Sequence, residues 1–179
     1  MSLLSRSDKY FTTKFKQIFE TFHQKVFNYI FRIVGNRESA EDILQDVFLK
    51  IYQGLPTYRE NTKLTPWIFT ITRNTINDYF RKQNVYQNYF TDTEDVTDPE
   101  INDSPESILI SKEISNLFEC AVVNLPYKLK EVFLLRFEAE LSFKEISKIL
   151  NYPVNRLLGR MHLAVKQLRK EMKNIVNED

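Results

Sequence analysis

Apolar residues recur three and four positions apart through most of this chain, and the pattern breaks at a few polar or proline-bearing stretches. From Lys14 to Val34, Phe15, Ile18, Phe19, Phe22, Val26, Tyr29, Ile30 and Ile33 recur at helical spacing, which predicts an amphipathic helix. Gly35-Asn36 predicts its end. A second helix is predicted from Ser39 to about Gln53, with Asp42 three residues after Ser39 as a variant capping box and Ile43, Val47 and Ile51 on one face. A third has Thr65 as N-cap and Pro66 at the first helical position, and runs to about Lys82 through Trp67, Ile71 and Phe80.

Four more helices are predicted beyond residue 105. Glu106 to Asn124 carries Leu109, Ile114, Leu117, Phe118 and Ala121. Tyr127 to Glu138 carries Leu129, Val132, Phe133 and Leu135. Ser142 to Leu150 opens on a capping box, Ser142 with Glu145. After the break Asn151-Tyr152-Pro153-Val154, Asn155 is expected to cap a last helix that ends near Lys173.

Between the two groups, Asp92 to Glu106 holds seven acids and no Lys or Arg, with Pro99 and Pro105 interrupting it. Such a stretch buries too little apolar surface to offset the entropy of ordering it. The expected architecture is therefore all-α: a three-helix unit at 1–83, a flexible acidic linker at 84–105, and a four-helix unit at 106–175. Extended, the linker reaches on the order of 70 Å. Each unit is small for a large core, so partner binding is expected to add to its stability.

Composition narrows the function classes. Only 3 of 179 residues are Gly, which argues against turn-rich β folds and Gly-rich phosphate loops. The single cysteine, Cys120, excludes an intramolecular disulfide and is expected to be a buried structural thiol. His23 and His162 are far apart with no Cys/His cluster near either, so no metal or other cofactor is expected. No nucleophile–base pair or paired carboxylates are visible, so no catalytic residue is expected. No run approaches the roughly 18 apolar residues of a membrane span; no membrane insertion and a cytoplasmic location are expected.

Charge is distributed unevenly beneath a net value of +1. From Ala121 to Lys173 there are 11 Lys/Arg against 5 Asp/Glu. Leu141 to Arg169 has the layout of a helix-turn-helix. Phe143, Ile146, Ile149 and Leu150 form the core side of its short first helix, and Leu157, Met161, Ala164, Val165 and Leu168 that of the second. Arg156, Arg160, Lys166, Arg169, Lys170 and Lys173 occupy the remaining face, which suits the major groove of DNA. In the first unit, Phe48, Tyr52, Tyr58, Trp67, Phe69, Tyr79 and Phe80 surround a polar loop, and Arg73, Asn74, Asn77, Arg81 and Lys82 follow at helical spacing. Rings interleaved with Arg, Lys and Asn suit unpaired DNA, although Trp67 and Phe80 are expected to be partly core.

Three runs in the first unit, Glu-Ser-Ala-Glu-Asp-Ile-Leu-Gln-Asp-Val-Phe (38–48), Thr-Pro-Trp-Ile-Phe-Thr-Ile-Thr-Arg-Asn (65–74) and Asp-Tyr-Phe-Arg-Lys (78–82), resemble region 2 of the extracytoplasmic-function RNA polymerase sigma factors, in the sigma-70 family. Leu-Pro-Tyr-Lys-Leu-Lys-Glu-Val-Phe-Leu-Leu-Arg-Phe (125–137) and Leu-Ser-Phe-Lys-Glu-Ile-Ser-Lys-Ile-Leu-Asn-Tyr-Pro-Val (141–154) resemble their region 4. The resemblance implies an alternative sigma factor that binds core RNA polymerase, through its β′ and β subunits, and directs it to promoters without catalysis of its own. It implies polymerase docking by Glu41, Asp42, Gln45, Asp46 and Phe48. It implies −10 recognition by Arg59, Asn61, Thr62, Lys63, Trp67, Arg73, Asn74, Asn77 and Arg81. It implies −35 recognition by Arg136, Asn155, Arg156, Gly159, Arg160, Leu163 and Lys166. An anti-sigma factor is an implied partner. Leu158, Leu163 and Val165 stand where cationic residues are common in the family, so the −35 preference is expected to be this chain's own. A helix-turn-helix regulator acting without polymerase is the competing reading, and it leaves the first 82 residues unexplained.

Overall fold

The computed structural model describes residues 6–59, 63–83 and 112–176 of the chain. The expected linker at 84–105 lies outside the described residues, as do Asn61 and Thr62. All regular structure among the described residues is helical: α1 Arg6–Val34, α2 Arg37–Gly54, a 3-10 turn Leu55–Thr57, α3 Leu64–Lys82, α4 Lys112–Val123, α5 Tyr127–Phe137, α6 Phe143–Leu150 and α7 Val154–Val176.

The helices are those the periodicity predicts, except that α1 begins at Arg6 and not Lys14 and that residues 106–111 of the expected fourth helix lie outside the described residues; the other ends show where local chemistry differs from the pattern. Gly35, at φ 76°, closes α1 in the left-handed region that glycine enters without strain. Asn36 then caps α2, its Oδ1 accepting from the Ser39 N–H at 2.9 Å, so α2 opens at Arg37 and not at Ser39. Helix α3 opens at Leu64, with Lys63 in the N-cap position. Pro66 therefore lies third and not first; its missing N–H is one of the donors a first turn leaves unsatisfied in any case. The capping box of α6 forms as predicted: Ser142 Oγ accepts from Glu145 N–H and Ser142 N–H donates to Glu145 Oε2 at 2.8 Å. Asn151, at φ 57°, turns the chain after α6, and α7 opens at Val154, which puts Asn155 inside its first turn and not at its cap.

Helices α1, α2 and α3 pack on one another around Val26, Ile30, Ala40, Val47, Ile51, Ile68, Phe69 and Ile76, all buried. Each Val, Ile or Phe among them contributes about 1.5–3 kcal/mol on burial. Tyr29 meets Phe69 edge-on at 5.4 Å between centroids, and the Tyr79 hydroxyl donates to Ser39 Oγ at 2.9 Å, tying α3 to α2. In the second unit α7 packs against α4, α5 and α6 over Val122, Val132, Leu134, Leu135, Ile146, Leu157, Ala164 and Leu168. Cys120 is exposed, contrary to the expectation of a buried thiol. Ala121 and Val122 take the core side of α4, and the roughly 100° rotation per residue turns Cys120 outward.

The two units also pack against each other, which the sequence pattern does not indicate. Helix α1 lies against α4 and α5, and α3 lies against α6. No helix among the described residues is long and apolar enough to cross a membrane.

Candidate nucleic-acid and polymerase interfaces

On α2, the positions that leave the core form a continuous face. Glu41, Asp42, Gln45 and Asp46 are exposed, at i, i+3/i+4 spacing that puts them side by side. Arg37 Nε bonds Glu41 Oε1 at 2.8 Å. Phe48, grouped with them on sequence grounds, faces the other way and is 5% exposed. It packs against Phe19 at 4.8 Å and Phe15 at 6.2 Å. Buried there, it helps hold α2 on α1 and is not part of the exposed acidic face. Leu49, 55% exposed, continues the acidic face; no sequence signal separates it from the core leucines except its phase on the helix.

The Trp67 region is built by close approach. A Cβ at Gly54 would lie 3.0 Å from the Trp67 ring, so glycine lets the indole lie over the end of α2. Tyr58 flanks the indole at 4.8 Å, tilted by 49°. Arg59 and Lys63 are exposed on either side of residues 60–62, and Asn74 and Arg81 are exposed along α3. Trp67 and Asn77 are half-buried, and Asn77 Oδ1 is a buried acceptor with no hydrogen bond. Arg73 points toward the second unit, not solvent: its Nε bonds the buried Glu131 Oε1 at 2.7 Å.

Glu131 is the centre of a network. Tyr127 Oη lies 3.5 Å from the same carboxylate oxygen. Burial pushes the Glu131 carboxyl up from its usual range, while Arg73 and, at longer range, Arg160 pull it back down. Burial likewise raises Tyr127 and Tyr29 well above the ordinary phenol range, with the Glu131 charge adding to the shift. The arrangement keeps a carboxylate and a guanidinium paired in a desolvated place, where losing either partner is costly.

The outer face of the second unit is basic. Asn155, Arg156, His162, Lys166, Arg169, Lys170 and Lys173 are exposed on α7. His162 lies seven residues after Asn155 and four before Lys166, on their face; composition alone does not distinguish it. The Arg156 and Arg160 guanidinia both lie over the Tyr152 ring, at 4.8 and 4.2 Å from its centre. They differ in access. Arg156 is exposed, whereas Arg160 is 5% exposed and its Nη1 is buried without a hydrogen-bond partner. The expectation that both project together toward DNA thus holds geometrically for Arg156 and not for Arg160, which turns inward toward Glu131. Gly159 is buried and Leu163 half-buried. Arg136 is exposed, but its Nη1 donates to the Leu141 carbonyl at 3.1 Å and its guanidinium lies over Phe143, so it braces the turn before α6.

Residues 18–85 match the family model described as sigma-70 region 2, and residues 115–168 match the one described as sigma-70, region 4. The chain is 31% identical to the ECF RNA polymerase sigma factor SigW of Bacillus subtilis, covering 90% of each chain. It is 33% identical to the RNA polymerase sigma factor SigZ of the same organism, covering 87% of this chain and 85% of that one. The fold resembles the sigma factor RpoE of Bartonella quintana, solved in complex with the anti-sigma factor NepR. The TM-score is 0.67 at 20% identity, over 89% of this chain and 97% of that one.

Proposed function

The chain belongs to the extracytoplasmic-function group of RNA polymerase sigma factors, and from that membership we propose how its surfaces divide the work. It binds core RNA polymerase and directs it to promoters. The exposed face of α2, Glu41, Asp42, Gln45 and Asp46 extended by Leu49, docks on the polymerase β′ subunit. Arg59, Lys63, Trp67, Asn74 and Arg81, with residues 61 and 62 between them, receive the melted −10 strand: the indole stacks on a base and the cations hold the backbone. Helix α7 enters the major groove of the −35 element through Asn155, Arg156, His162 and Lys166. The second unit works beside the polymerase β subunit.

The chain itself performs no catalysis in this reading; it positions a polymerase that does. The work takes place in the cytoplasm, with an anti-sigma factor as the opposing partner, as the Bartonella relative was solved with one. The observation that carries the reading is the occurrence of both region matches, in order, in one chain. A promoter-fragment mobility shift tests it. The fragment is expected to shift with core enzyme plus this chain and not with this chain alone. A shift of equal strength without core would make the protein a free-standing regulator.

A further inference from the structure

The turn between α6 and α7 carries one large side chain, Tyr152, which the surfaces described above leave without a task. Its backbone is fixed from both sides. Asn151 precedes it at φ 57°, in the left-handed region. Pro153 follows it, and a residue before proline is confined to extended backbone. The Tyr152 carbonyl accepts from the Ser147 hydroxyl of α6 at 2.6 Å. The Pro153 carbonyl accepts from Leu157 N–H at 3.3 Å, tying the turn to the start of α7. The half-buried ring is thereby carried at a set place beside the first two turns of α7. Two guanidinia lie on it, Arg160 at 4.2 Å and Arg156 at 4.8 Å from its centre. Arg160 is buried, so its contact stays within the protein, whereas Arg156 is exposed on the face assigned to DNA.

We propose that Tyr152 is a positioning residue for −35 recognition: its ring holds the Arg156 guanidinium in the orientation from which it meets one base pair. The inference rests on the assignment of α7 to the −35 element. A long surface side chain gives up rotamer freedom when it is fixed against a base. One already laid on a ring has given up part of that freedom beforehand, so less is lost on binding. Stacking engages the flat face of the guanidinium and leaves its N–H groups directed outward in the plane. That edge is the one that bonds two acceptors of a single base. The backbone of the turn sets the ring, the ring sets the arginine, and the turn of the helix-turn-helix thereby contributes to sequence preference without itself touching a base.

Selection of −35 sequences with holoenzyme tests this, using wild type, Arg156→Ala, Tyr152→Leu, Tyr152→Phe and the double variant Tyr152→Leu with Arg156→Ala. Arg156→Ala is expected to lose about tenfold of discrimination at one position. Tyr152→Leu is expected to lose about threefold at that same position and nothing at the others, while Tyr152→Phe, which keeps the ring, retains the preference. The double variant is expected to discriminate no worse than Arg156→Ala alone, because the ring acts only through the arginine. A Tyr152→Leu variant that weakens every sequence alike, or a Tyr152→Phe variant as impaired as Tyr152→Leu, makes Tyr152 a structural or phosphate-contacting residue and overturns the proposal. If Tyr152→Leu loses helicity, the wild-type chain serves: the Arg156 Nε–H resonance is expected to be displaced upfield by the ring, and a random-coil position overturns the contact. The two levels separate cleanly. Unchanged selection by Arg156→Ala overturns the −35 assignment of that residue and the positioning with it. A loss in Arg156→Ala beside unchanged selection by Tyr152→Leu overturns the positioning alone.

Discussion

Arg73 and Glu131, one on the Trp67-bearing helix and the other in the first turns of α5, share a 2.7 Å ion pair with both side chains largely withdrawn from water. Burial raises the Glu131 carboxyl, and the Arg73 guanidinium only partly reverses that. A carboxyl raised on folding gives stability that is complete below its unfolded value and falls as pH rises through its folded value. Unit-to-unit packing is therefore expected to loosen as pH climbs out of the carboxylate range, and Glu131→Gln to flatten that dependence. Scattering measured across a pH series from acid to neutral checks it; an unchanged slope in the variant places the titrating group elsewhere.

Glu145 has the opposite sign. The Lys63 hydrogen bond, followed by those from Ser142, holds its carboxyl down to about 2. Its contribution is present above the ordinary carboxylate range and is lost as pH falls toward about 2. Lys63→Ala is expected to move Glu145 back toward the usual range while the capping box persists. Carbon-detected NMR titration of the Glu145 carboxyl reads this, and a value still near 2 would assign the shift to the Ser142 box alone.

Arg160 and Arg156 separate a structural from a reading role. Arg160→Ala removes the stacking on Tyr152 and a cation facing Glu131; a loss of about 1–3 kcal/mol in stability is expected, with −35 preference unchanged. Arg156→Ala is expected to leave stability within about 0.5 kcal/mol and to cost about 1–3 kcal/mol of discrimination at one −35 position. Thermal melts and −35 selection with holoenzyme, run on both variants, check the pair; a base-specific loss in Arg160→Ala would return that residue to the reading set.

On α2, Asp42→Lys with Asp46→Lys is expected to abolish co-purification with core polymerase at unchanged helicity. Phe48→Ala is expected to cost about 3–5 kcal/mol of stability, since the ring is buried against Phe15 and Phe19. Retained core binding by the charge-reversed variant would move the docking face off α2.

What sequence made visible here was whatever a single helix records about itself. The spacing of Val26, Ile30 and Ile33, the Ser142–Glu145 box and the acidic phase of Asp42, Gln45 and Asp46 are each local, and all appear in the structure. Residues placed by distant partners were harder to see. Phe48 is in the same motif as the exposed acids, yet its phase turns it inward onto α1. Arg160 looks identical to Arg156 until Tyr152 and Glu131 are seen around it. Arg32 pairs with Glu119, 87 positions away in sequence, and with Glu138 beyond it, and no periodicity encodes it. The Asn36 cap of α2 is hidden in the sequence because Gly35-Asn36 also suits a helix end; the same dipeptide ends one helix and starts the next.

Core-dependent run-off transcription from a genomic library tests the central claim most directly. Core polymerase supplemented with this chain is expected to yield discrete transcripts whose start sites share paired −35 and −10 sequences, with none from core alone or from the chain alone. The same background of unspecific transcripts with and without the chain would contradict its assignment as a promoter-directing subunit.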